Sequence, residues 1–264
     1  MAFVRVNGVV LHHQVDGPAG KPPLVFSNSL GSDFRIWDAV VGKLGNRFRF
    51  VRYDKRGHGL SETTPAPYAL TDHVNDLAAL LDHLGIEKAA VVGLSVGGMI
   101  AQGLAALRPD LVAALALSGT GHKIGTEEFW KARIDAVQAN GIAGIADLIL
   151  PRWFTAAYRR AENPDFIGYT NMLVRTPLEG YVGTCTALRD ADLTESTRAL
   201  KLPTICMVGD QDGSTPPELV RSLAELIKGA EFRVIADAGH IPCIEQPDAV
   251  ADLIGSFLSK TRYG

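Results

Sequence analysis

A chain of 264 residues, 47% of them hydrophobic and 21% charged, is long enough to bury a full core and has none of the compositional marks of a disordered protein. Its formal charge of -3 provides no broad positive field, which argues against a nucleic-acid backbone or an anionic membrane as partner. Any attraction for an anion must be local.

At the N-terminus Arg5 interrupts the apolar residues, so neither a secretory signal nor a membrane anchor is expected. Cys185, Cys206 and Cys243 are odd in number and widely spaced, the pattern of reduced packing thiols in a cytoplasmic protein. Residues 3–6 and 9–15 are short β-rich runs joined by Asn7-Gly8, which predicts an antiparallel hairpin. Apolar runs then recur at 23–27, 48–53, 89–93, 112–118, 203–208 and 231–235, alternating with stretches of helical period. Near-continuous runs such as Ala89-Ala90-Val91-Val92 suit parallel strands covered on both faces. Between them, Thr71 is expected to cap a helix that carries Val74, Leu77, Ala78, Leu81 and Leu84 on one face and ends at Gly85. The alternation predicts an α/β domain, a mainly parallel sheet with helices on both faces, formed by residues 1–120 and 191–264.

From about 121 to 190 helical segments continue without convincing strands, and this stretch reads as a helical insertion. It carries eight aromatic residues: Phe129, Trp130, Trp153, Phe154, Tyr158, Phe166, Tyr169 and Tyr181. Such an insert is expected to act as a lid over an apolar pocket, although rings that merely dock it on the sheet would give the same composition.

The strongest chemical signal is Gly93-Leu94-Ser95-Val96-Gly97, set between an apolar strand and the helix-like run from Val96 to Leu107. A serine hydroxyl is a weak nucleophile, so a sharp turn must expose it to substrate and base, and glycines must clear the space around it. A second signal is Gly209-Asp210-Gln211-Asp212, followed by Thr215-Pro216-Pro217 at the start of another helix. Asp212 sits further into the loop, where it can reach an imidazole, whereas Asp210 suits backbone donors in the turn. His240 follows Ala238-Gly239 beyond the last apolar run, with one helix and one strand between it and Asp212. Of the other histidines, adjacent His12 and His13 point to opposite faces of a strand and cannot share a metal. His58, His73, His83 and His122 read as surface or turn residues. No metal-ligand spacing or nucleotide-binding glycine fingerprint is present, so no cofactor is expected.

The order Ser95, Asp212, His240 is that of the α/β-hydrolases, and the chain resembles 3-oxoadipate enol-lactonases along essentially its full length. The resembling stretches are Phe26 to Ser32, Tyr53-Asp54-Lys55-Arg56-Gly57-His58-Gly59-Leu60-Ser61, the elbow around Ser95, Gly209 to Pro216 and Ala238-Gly239-His240. Many α/β-hydrolases carry His-Gly where this chain has Asn28-Ser29, and Asn-Ser-Leu-Gly looks like the enol-lactonase branch. The resemblance supports Asp212 as the acid and implies an oxyanion hole made by the backbone N–H groups of Leu30 and Val96.

The resemblance further implies a small anionic lactone as partner, hydrolysed through a serine acyl-enzyme to 3-oxoadipate in the β-ketoadipate pathway of aromatic catabolism. The free carboxylate of that substrate needs a cationic or hydrogen-bonding group, for which Arg133, Arg152 and Trp153 are candidates, Arg133 and Trp153 foremost. A solvated lid surface explains either arginine as well as substrate contact does. A carboxylesterase or a C–C bond hydrolase of ring-cleavage products would use the same three residues, and a ligand receptor could keep the same architecture. Dehalogenases and epoxide hydrolases need a carboxylate where this chain has Ser95.

Overall fold

Asn7 and Gly8 both adopt positive φ, 46° and 76°, and the tight turn they make folds the first strand back on the second. The computed structural model describes residues 1–261 and 263. Its strands are β1 (Ala2–Val6), β2 (Val9–Asp16), β3 (Pro23–Ser27), β4 (Arg49–Tyr53), β5 (Ala89–Leu94), β6 (Val112–Ser118), β7 (Thr204–Gly209) and β8 (Glu231–Ile235). They form one sheet in the order β1-β2-β4-β3-β5-β6-β7-β8. β1 and β2 pair antiparallel, β2 meets β4 antiparallel, and every other neighbouring pair is parallel. The strands therefore lie where the apolar runs predict them, with the hairpin at one edge.

The helices are α1 (Asp38–Leu44), α2 (Leu70–His83), α3 (Val96–Leu107), α4 (Glu127–Trp153), α5 (Pro164–Val174), α6 (Leu178–Asp190), α7 (Thr194–Arg198), α8 (Pro217–Leu226), α9 (Pro242–Glu245) and α10 (Pro247–Lys260). α1, α9 and α10 pack together as one group, and α2, α3, α7 and α8 as another. All residues of β5 are buried, so the centre of the sheet is covered on both faces. Val74, Leu77, Ala78 and Leu81 of α2 are buried as their spacing predicts, and each large aliphatic side chain placed this way contributes about 1.5–3 kcal/mol. None of the described helices is long and apolar enough to cross a membrane.

Two expectations are corrected. Thr71 does not cap α2: the helix begins at Leu70, and the carboxylate of Asp72 accepts the N–H of Ala69 at 2.8 Å. A carboxylate in the first turn thus reaches back to the residue before the helix, and it adds a favourable charge at the helix N-terminus. His58 and His73 are not surface residues but fully buried, because the segments that carry them fold under α6 and behind the site described below.

α4, α5 and α6 lie between β6 and β7 with no strand among them. α4 bends at Gly141, which has φ 69°. The aromatic residues of this region divide into two sets. Phe154, Tyr158, Phe166 and Tyr169 gather around the Phe154 ring and join the end of α4 to α5, while Phe129, Trp130, Trp153 and Tyr181 line a pocket. α6 meets the rest of the molecule backbone against backbone: a Cβ at Gly180 would lie 2.0 Å from the carbonyl oxygen of Gly57.

That contact generates a prediction. Gly180→Ala should destabilise the protein by about 1–3 kcal/mol, because the opposing atom is backbone and cannot rotate away. Gly168→Ala in α5, where a Cβ has nothing within 4 Å, should instead stabilise it by about 0.5–1 kcal/mol. Urea denaturation of the two variants against the parent checks both signs.

Candidate active site

Ser95 follows β5 with φ 58° and ψ -121°, a left-handed backbone rare for a residue with a side chain. The residues two positions to either side must be glycine. A Cβ at Gly93 would lie 2.4 Å from the Gly97 carbonyl oxygen, and one at Gly97 would lie 2.2 Å from that of Ser27. The strained turn is held by bonds to both backbone groups of Ser95, its N–H to the Ser118 carbonyl at 3.0 Å and the Thr120 hydroxyl to its carbonyl at 2.7 Å.

Asp212 and His240 stand side by side in the loops after β7 and β8. The imidazole Nδ1 lies 2.9 and 3.0 Å from the two carboxylate oxygens, and both residues are buried. Asp212 also accepts the N–H groups of Ser214 and Thr215, each at 2.8 Å, and the Thr215 hydroxyl at 2.8 Å. Burial pushes this carboxyl upward, but the neighbouring imidazole and the N–H donors of Thr215 and Ser214 outweigh it and hold the group below its ordinary value. Asp210 accepts instead from the backbone N–H of Ala238 at 3.1 Å. With Nδ1 facing the carboxylate, Nε2 is left toward the pocket, where it lies 3.5 Å from the Ser29 hydroxyl. Ser95 and His240 line the same pocket, and no hydrogen bond joins their side chains in this arrangement. Apo sites are often loose in this respect and tighten around substrate.

The pocket has a volume of about 120 Å³, and its wall includes Ser29, Leu30, Trp130, Tyr181 and Thr215. Among the described residues, the N–H groups of Leu30 and Val96 donate to no protein acceptor. Val96 opens α3, so its N–H is one of the donors that a helix leaves unsatisfied at its N-terminus. Leu30 lies in a loop fastened from behind: Asn28 donates to the Tyr53 carbonyl at 3.0 Å and accepts from the Trp37 indole at 3.1 Å. His58 accepts the Gly31 N–H on Nε2 at 3.0 Å, which leaves its Nδ1 to donate to the Arg56 carbonyl at 3.2 Å.

Arg133, Arg152 and Trp153 all line this pocket. The two guanidinium groups sit 5.4 and 5.2 Å from the centre of the Phe129 ring, and among the described residues neither is ion-paired. Among the described residues, Arg133 donates only to the Tyr181 hydroxyl, at 3.4 Å. Burial and then the charge of Arg133 lower the pKa of Arg152, against the pull of Asp212. No cluster of three or more His, Cys, Asp or Glu among the described residues could hold a metal ion. The thiols of Cys185, Cys206 and Cys243 are buried, which raises the pKa of each.

Sequence reasoning missed several supporting residues. The carbonyl of Trp153 accepts the N–H of His240 at 2.8 Å, and that of Arg152 accepts the N–H of Gly213 at 3.3 Å, so the end of α4 clasps both loops. Glu245 bridges the same parts, accepting the Gly239 N–H at 2.7 Å and the Thr155 hydroxyl and N–H at 2.7 and 3.1 Å. Only Thr215 carried a signal, as a hydroxyl three residues after the acid.

Residues 9–253 match the family model described as the alpha/beta hydrolase family. The chain is 34% identical over 256 residues to 3-oxoadipate enol-lactonase 1 of Acinetobacter baylyi, covering 97% of this chain and 96% of that protein. The solved structure of the enol-lactonase from Burkholderia xenovorans is 37% identical with a TM-score of 0.95, covering 98% of this chain and 100% of that one. A thermophilic esterase from Thermogutta terrifontis, solved with malate bound, is 28% identical with a TM-score of 0.92 and 99% of each chain covered.

Glu245→Ala should leave three donors without acceptors beside His240 and cost about 1–3 kcal/mol of stability. Glu245→Gln, which keeps an acceptor oxygen, should lose less. Thermal or urea unfolding of the pair separates the two.

Proposed function

The chain belongs to the alpha/beta hydrolase family, and from that membership we propose that it hydrolyses 3-oxoadipate enol-lactone to 3-oxoadipate through an acyl-enzyme on Ser95. The observation that carries this reading is a buried imidazole whose Nδ1 is tied to Asp212 and whose Nε2 opens into the pocket of Ser95. Relatives named as enol-lactonases over nearly the whole chain supply the substrate.

His240 Nε2 takes the hydroxyl proton as Ser95 Oγ attacks the lactone carbonyl. The carbonyl oxygen becomes an oxyanion, and the N–H groups of Leu30 and Val96 receive it. Collapse breaks the ring C–O bond, and the imidazolium returns the proton to the departing enolate. The enol becomes a ketone, which removes the nucleophile that would close the ring again. Water, activated by the same imidazole, then cleaves the acyl ester. Asp212 holds the imidazole in the tautomer with Nδ1 protonated and stabilises its charged form in both halves.

The substrate carries a free carboxylate, and in this reading Arg133 and Arg152 receive it, with Trp153 and Tyr181 forming apolar wall beside them. Two cations held beside one ring, without carboxylate partners among the described residues, are ready to bind an anion. The helices from 121 to 190 act as the lid that supplies these groups.

Ser95→Ala should lose at least about 10³-fold in turnover of the lactone while keeping the native fold, measured without added metal or cofactor. Replacing Arg133 and Arg152 together by alanine should raise KM for the anionic lactone about tenfold, equivalent to about 1.4 kcal/mol, and leave a neutral ester of similar size unaffected. Equal effects on both substrates would move the carboxylate site elsewhere. Turnover of simple esters or of C–C ring-cleavage substrates, with none of the lactone, would reassign the chemistry.

A further inference from the structure

Lys55 places an ammonium group in the interior with no carboxylate among the described residues bonded to it. The residue is 1% exposed, and its Nζ donates to the carbonyl oxygens of Ser29 at 2.5 Å and Ser32 at 3.4 Å. The carboxylates whose charges act on it are committed elsewhere: Asp54 to His12 and the N–H groups of Phe34 and Leu60, Asp33 to Arg35. Burying a cation among neutral acceptors is costly, and an apolar side chain of the same length would fill the space at less cost. A lysine in such a place needs a reason.

The carbonyl it meets supplies one. Ser29 C=O and Leu30 N–H belong to the same peptide unit, and resonance across that unit couples them. The Ser29 oxygen accepts three donors, Lys55 Nζ, the Ser32 hydroxyl at 2.9 Å and the Ser32 N–H at 3.3 Å. A positive charge on the oxygen side draws electron density from the nitrogen and strengthens the N–H as a donor, the cooperativity of linked hydrogen bonds. Leu30 in turn lines the pocket of Ser95.

We propose that Lys55 is a positioning residue for the hydrolysis, its ammonium fixing and polarising the Ser29–Leu30 peptide so that the Leu30 N–H binds the developing oxyanion more strongly than an ordinary amide would. This rests on Leu30 as an oxyanion donor in the proposed function. Burial lowers the lysine to about 7, opposed by the charges of Asp54 and Asp33. The imidazoles of His58 and His73 face the same group, and burial, then the charge of Lys55, hold both well below their ordinary range. Arg56 nearby is paired with Asp76. The polarising charge is therefore present below about pH 7 and fades as the pH rises through that value.

The test compares the parent enzyme with Lys55→Met and Lys55→Arg on the enol lactone across the neutral pH range, with the carbonyl stretch of the acyl-enzyme read by Raman spectroscopy. Lys55→Met should lower kcat about tenfold with KM within about twofold, because a donor is weakened and not removed. It should also abolish the decline of kcat expected of the parent as Lys55 loses its proton near pH 7, and shift the acyl carbonyl to higher frequency without lowering Tm. Lys55→Arg should recover part of both kcat and the frequency shift. Native kcat in Lys55→Met, an unmoved carbonyl stretch, or a loss of kcat matched by a fall in Tm would overturn the proposal. If Lys55→Met does not fold, Lys55→Gln, which keeps a donor to the Ser29 carbonyl and removes the charge, takes its place, and a native kcat with an unmoved carbonyl stretch in that variant overturns the proposal. Full turnover by Ser95→Ala would instead end the serine reading beneath it, whereas an inactive Ser95→Ala beside a native-like Lys55→Met ends only the role of Lys55.

Discussion

A helix leaves its last carbonyls without partners, and at the end of α4 two of them are taken by the loops that carry the acid and the imidazole. Trp153 C=O receives the His240 N–H and Arg152 C=O receives the Gly213 N–H, so one helix terminus sets the spacing of Asp212 and His240. Side chains of those two residues face the pocket while their carbonyls hold its base. Whatever moves α4 moves the acid–imidazole pair with it.

The close approach has steric consequences. A Cβ at Gly239 would lie 2.5 Å from the Trp153 carbonyl oxygen, and one at Gly209 would lie 2.2 Å from that of Gly239. Glycine is required here to let backbone reach backbone. At Gly119, with φ 45°, the requirement is different: a Cβ would meet an Asp212 oxygen at 3.0 Å and His240 Nδ1 at 3.2 Å, so the bare backbone forms the wall behind the pair. Polar groups packed this tightly are stable only when nearly all are partnered, and Asp212 meets that condition with five contacts from four groups.

Much of this was legible in the chain. The strands could be read because burial on both faces demands unbroken apolar runs such as β5, and the sharp turn at Ser95 could be read because its glycines and serine lie within five residues of sequence. Asp212 and His240 were legible as loop residues after strands. Less visible were residues whose role depends on what another segment brings to them. Gly180 and Gly168 are both helical glycines, yet one touches backbone and the other touches nothing. His58 has the composition of a turn, but the loop of Gly31 folds over it and makes it a buried acceptor.

By itself, the sequence determined the alternation of strand and helix, the hairpin edge and the order of serine, acid and histidine, because each is encoded by neighbours within a few positions. Only the tertiary structure decided that α4 ends against the loops of both Asp212 and His240, that Phe154 joins helices while Trp153 lines the pocket, and that Lys55 lies against the Ser29 carbonyl. These are meetings between segments far apart in the chain. Hydrophobic period states which face of an element is buried, but it does not state which polar atom of a distant segment will be waiting there.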